Sequence, residues 1–188
     1  MNRINALLLS LSLFFTVHAV DAAVKGDRAA LEFVKQNSNT YIAIVWPRAY
    51  EHKKYISKKL SSYGNTRIVQ SKTLRLSEAG AWHFFKNAHR GANSSFMRKT
   101  LKNYLTGCKA PFKLQALLLQ TDLSLEELIK CKKAIREKIG ISYWSIHIND
   151  THQETLEMAE VVYDKERIKA LNKLGSRDGY FITDPFLY

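Results

Sequence analysis

The stretch that most limits what this chain can fold into is residues 40–46 (TYIAIVW). It is almost continuously apolar and β-branched, so it reads as a strand covered on both faces. Pro47 closes it, because proline has no amide to give a ladder. Elements of other periodicity surround it. A polar lead-in, 25–39, contains a short helix over 28–35 and ends in turn-forming residues. Residues 50–63 set Tyr50, Ile56, Leu60 and Tyr63 against lysines, as a helix does, and Gly64-Asn65 stops them. Residues 66–76 alternate as a second strand. Ser77 caps a helix over 78–87. A loop at 88–93 pivots on Gly91, and Ser94 or Ser95 then opens a helix over 96–105. Residues 112–120 form a third strand. Ser124 and Glu127 have the capping-box spacing for a helix over 125–138, which Gly140 ends. Residues 143–148 read as a fourth strand, and Thr151 with Glu154 as a second capping box. A short helix over 166–174 completes the pattern.

The order is β-α-β, an inserted helical pair, then β-α-β-α. That is an α/β (α+β) chain of the ferredoxin-like, split βαβ kind: a four-stranded antiparallel sheet with helices on one face. At 188 residues the chain is one main domain. Residues 1–22 resemble a signal peptide, with Arg3 ahead of an apolar run over 6–17 and small residues at Ala19, Ala22 and Ala23. Export to a periplasmic or external space is therefore expected, and no later segment is apolar enough to span a bilayer. Residues 23–39 read as a linker with a short helix, 40–174 as the domain, and 175–188 as an aromatic tail (YFITDPFLY over 180–188). The apolar share of 46% and charged share of 24% exclude a disordered chain. A net charge of +12 attracts phosphates, nucleotides, nucleic acid or an anionic surface without choosing among them; the bland alternative is a solvated basic surface. Cys108 and Cys131 can form one disulfide in an oxidising space, the alternative being two buried thiols. Their spacing does not suggest zinc.

One imidazole stands out. His147 lies at a strand end, aimed toward the start of a helix, where anions are favoured. A histidine so placed is either a packed residue or a reactive one. Serine-nucleophile (GxSxG) and P-loop signatures are missing, and His147 with Asp150 and His152 does not make a specific metal motif.

Several segments together resemble the nucleoside diphosphate kinase family. Residues 40–44 (TYIAI) followed by Pro47 are similar to its first strand and turn, and 78–91 with 96–107 to its helical pair. Arg136-Glu137-Lys138-Ile139-Gly140 resembles its arginine–glycine helix end, and residues 146–151 (IHINDT) its phosphorylated-histidine run. The resemblance covers about residues 40–172. It implies a phosphotransferase that moves the terminal phosphate of ATP or another nucleoside triphosphate to a diphosphate through a phosphohistidine at His147. It further implies Arg136 and Asn149 on the phosphates, Phe96 stacked on the base, bound magnesium (Mg2+), and homo-oligomers. The pattern departs from the family at Trp46, Phe84, Trp144 and Asn149, and in a missing loop after Gly140. A catalytically degenerate domain that binds nucleotide, nucleic acid or a protein partner is the alternative.

Overall fold

The computed structural model describes residues 24–89 and 94–174 and, within these, the side chains at all positions except 94, 95, 96 and 98. The signal-peptide residues, the Gly91 pivot, the aromatic tail and the Phe96 side chain lie outside the described residues. The elements in order are α1 (Asp27–Gln36), β1 (Thr40–Val45), a 3-10 turn (Pro47–His52), α2 (Lys53–Ser61), β2 (Arg67–Leu76), α3 (Glu78–Ala88), α4 (Ser94–Leu105), β3 (Phe112–Gln120), α5 (Leu125–Ile139), a second 3-10 turn (Ser142–Trp144), β4 (Ile146–Ile148), α6 (His152–Val162) and α7 (Lys165–Lys173).

The strands make one sheet in the order β2-β3-β1-β4, with every neighbouring pair antiparallel. Alternation splits its side chains cleanly. Ile42, Ile44, Leu114 and Leu118 join a core with Ala30, Val34, Phe84, Phe85, Met158 and Val162 on one face. Ala43, Val45, Leu117 and Leu119 join Ile56, Leu60, Cys131 and Ile135 on the other. Helices therefore cover both faces, α2 and α5 on one and the rest on the other, where helices on a single face were expected. The cause is local: β1 is apolar on both sides, and each exposed Ile or Val would forgo about 1.5–3 kcal/mol of burial.

Three further differences follow from chain geometry. Within the expected linker with a short helix, the helix is part of the domain, because α1 buries Ala30 and Val34 completely in the core it shares with α6. Only Ile146–Ile148 of the expected fourth strand joins the sheet. Gly140 and Ser142 both take positive φ, 67° and 57°, and the tight reversal consumes residues 142–144 in a 3-10 turn. Cys108 and Cys131 are free thiols packed against opposite faces of the sheet, so the expected disulfide does not form. Among the described residues no helix is long and apolar enough to cross a membrane.

Candidate functional site

β4 is a three-residue edge strand, and its alternation fixes the site. Ile146 and Ile148 face the α5 side, which sends His147 to the other. There the imidazole meets His89, the C-cap of α3, with ring centroids 4.8 Å apart and planes at 70°. His89 rests on Phe85, four residues earlier on the same helical face, at 4.3 Å. It also stacks on Trp46 at 6.2 Å, and Tyr104 from α4 closes on Trp46 at 4.6 Å and on Trp144 at 5.2 Å. Each ring contact adds roughly 0.5–1.5 kcal/mol beyond burial.

This setting decides the protonation of both histidines. Burial pushes the His89 pKa from 6.5 down to about 4. His147 falls from 6.5 to about 3, first by burial and then by His89, Lys132 and Arg136, with Asp150 opposing. His147 is half-buried as a residue, but its Nε2 is sealed and has no hydrogen-bond partner among the described residues, and the same is true of His89 Nε2. Tyr104 is pushed up to about 12 by burial against the pull of Arg136.

Arg136, expected to receive a phosphate, is engaged elsewhere. The Trp46 amide donates to Ser145 O and the Asn149 amide to Ile42 O, so residues 145, 147 and 149 turn their backbone toward β1. The carbonyls of Ile146 and Ile148 therefore face the open edge. Arg136 Nη2 donates to Ile146 O at 2.9 Å and Lys132 Nζ to Ile148 O at 3.3 Å. The match is geometric: four residues along α5 rise about 6 Å, close to the roughly 6.6 Å between alternate strand residues. Lys132, 8% exposed, also pairs with Asp150 at 2.9 Å, and the Arg136 guanidinium lies 4.8 Å over the Tyr143 ring. These two cations seal a sheet edge, a common protection of such strands.

The helix start is also occupied. Thr151 Oγ1 accepts from the Glu154 amide, and the Glu154 carboxylate accepts from the Asp150 amide, so α6 supplies its own anion. Asn149 is 3% exposed, with its Oδ1 buried and unpartnered among the described residues. The neighbouring carboxylates, Asp150 and Glu154, are thus both engaged. Among the described residues no group of three or more histidines, cysteines and carboxylates could hold a metal ion, and the residues around His147 do not fit magnesium. Two surface grooves lie elsewhere, one by Leu101, Leu105 and Phe112, the other by Lys53, Ser57 and Gln115.

The structure thus brings His147 and Asn149 near one another, puts Arg136 behind the strand, and adds His89, Trp46, Tyr104 and Lys132. Neither Lys132 nor His89 stands out in the sequence, where lysines on a helix and a histidine beside a loop read by default as solvated surface residues. The signals for them were the i,i+4 pairs Phe85/His89 and Lys132/Arg136. The sequence matches no protein-family model, and comparison with curated proteins returns no relative.

Proposed function

We propose that this chain is a non-catalytic domain that binds anionic, phosphate-bearing partners, on a ferredoxin-like scaffold degenerate relative to the nucleoside diphosphate kinases. The strand order β2-β3-β1-β4, with α3 and α4 inserted between β2 and β3, supports the scaffold reading. The observation that carries the functional part is the use of Arg136 and Lys132 as backbone caps, which takes from His147 the cations, among the described residues, that would steady a transferring phosphate. With a net charge of +12, attraction for anions persists where the chemistry does not. Export belongs to the same proposal, on the strength of residues 1–22. N-terminal sequencing of exported protein, starting at Val20 or Ala23, tests that part.

One observation favours the second reading, phosphotransfer through His147. An imidazole held near pKa 3 keeps a nitrogen lone pair free at neutral pH, as a nucleophile requires. The deciding experiment incubates the full chain and His147→Ala with γ-labelled ATP, with and without added magnesium, and measures retention of both on a heparin column. The binding reading expects no acid-labile label and salt-sensitive retention that survives His147→Ala. Label on the parent chain that disappears in His147→Ala overturns it and establishes the kinase-like reaction.

A further inference from the structure

At the opposite edge of the sheet from His147, the face under α2 changes character. Leu117 and Leu119 of β3 are covered, but the same face continues outward as Gln115 and Lys113, and on β2 as Ser71, Thr73 and Arg75. Ser71, Thr73, Arg75 and Lys113 are all exposed. Arg75 stands directly opposite Lys113 in the ladder. Like charges in that position oppose folding, and neither side chain has a carboxylate partner among the described residues, nor does Lys54. A groove of about 340 Å³ runs alongside, lined by Lys53, Lys54, Ser57, Ser71 and Gln115.

The hydroxyls of this face are ordered. Gln115, 6% exposed, donates to Ser71 Oγ at 2.6 Å and accepts from Thr73 Oγ1 at 3.0 Å. Thr73 Oγ1 in turn lies 3.4 Å from Tyr50 OH. Because Ser71 Oγ accepts from Gln115, its own hydrogen is left to give. The acid on the neighbouring turn, Glu51, sits by His52. Charged residues on an edge strand also discourage sheet-to-sheet pairing, but that explanation does not reach Lys113, which is on an interior strand.

We infer that this face, on the reading above that the domain binds anions, is a docking surface for the sugar-phosphate backbone of single-stranded nucleic acid. Lys53, Lys54, Arg75 and Lys113 neutralise phosphates, Ser71 donates to a phosphate oxygen, and Tyr50, with Lys53 Nζ 4.1 Å from its ring, is the aromatic rim. A membrane surface fits less well, since stable adsorption draws on buried apolar area as well as charge. The large exposed apolar residues among those described, Leu125 and Tyr143, are not on this face. An acidic protein would meet no apolar centre here. A duplex would need an element that enters a groove, and this face is a flat ladder.

The test follows fluorescence anisotropy of a labelled oligouridine with the full chain between 50 and 200 mM salt. Four neutralised phosphates give a log–log slope of about −2.8, or roughly 50-fold weaker binding across that range. Arg75→Ala/Lys113→Ala should bring the slope to about −1.4 and weaken binding about tenfold or more at the lower salt. This variant removes a repulsion, so its urea midpoint should not fall, which separates lost contacts from lost folding. Lys133→Ala/Lys138→Ala on α5 should leave the slope unchanged. If the α5 variant lowers the slope and the β2–β3 variant does not, the surface is wrong while the anion-binding reading stands. Preference for phosphatidylserine vesicles or polyglutamate over oligouridine overturns the nucleic-acid assignment, again leaving that reading. Failure to bind any of the three, with no retention on heparin, overturns both.

Discussion

Lowering the pH from 8 to 5 should cost this fold up to about 4 kcal/mol through His89 and His147 alone. Both imidazoles are neutral in the fold, with pKa values driven from 6.5 down to about 4 and about 3. In the unfolded chain each returns to the ordinary value. Below pH 6.5 the unfolded state therefore binds more protons than the folded one, and stability falls as the pH drops, until the folded pKa values are reached. At pH 5 each ring contributes RT ln(1 + 10^1.5), about 2 kcal/mol. The figure is nearly the same for a folded pKa of 3 or 4, because neither imidazole has taken up a proton by pH 5. It is a ceiling, since both residues are only half-buried as a whole. The window also stays above the range where ordinary carboxylates titrate.

The assay is urea unfolding at pH 8, 7, 6 and 5, followed by tryptophan fluorescence, for which buried Trp46 beside His89 is a direct reporter. With a slope near 2 kcal/mol per molar, the midpoint should fall by about 2 M over this range. His147→Gln should remove about half of that fall, whatever it does to stability at pH 8. A midpoint that stays level from pH 8 to 5, or a fall that is undiminished in His89→Gln/His147→Gln, would refute the closed aromatic setting assigned to these rings.

Two other outcomes follow from the packing. Lys132→Met should destabilise the chain by about 1.5–3 kcal/mol in urea, because it removes the charged bond to Ile148 O and leaves Asp150 unpaired. Gly80→Ala should cost roughly 1–3 kcal/mol and speed hydrogen exchange at the Ser77 amide. A Cβ there runs into Asn172 Oδ1, the acceptor of that amide at 2.9 Å, and breaks the tie between α3 and α7.

What could be read from the sequence is what depends on neighbours along the chain. The Ser124–Glu127 capping box forms as its spacing indicates, and β3 occupies the expected residues 112–120, ended by the turn-forming Thr121-Asp122. Residues 40–46 announced cover on both faces, and that local signal proved stronger than the one-sided layout expected of the fold class. What could not be read depends on partners distant in sequence. His89 is packed because Trp46 and His147 come to it from other elements. Lys132 is buried because β4 brings two bare carbonyls alongside α5, and the short length of that strand was hidden by Tyr143 and Trp144, which are β-formers but lie in the preceding turn.

The two edges of the sheet put the same residue types to opposite uses. Behind β4, Lys132 and Arg136 are desolvated against carbonyls, and their charge is spent on the strand and on holding His147 neutral. Across β2 and β3, Arg75 faces Lys113 with no carboxylate partner among the described residues, so among these the positive potential there is neither screened by a partner nor absorbed by the backbone. A cation already bonded to a carbonyl must give up that bond before it can take a phosphate, and it leaves a bare acceptor behind. A cation held opposite another cation gains when an anion arrives, because the anion relieves the repulsion as well as pairing the charge. The excess of positive charge is a property of the whole chain, but on the proposed anion-binding reading the free energy of binding is concentrated at the edge where folding has left that charge unused.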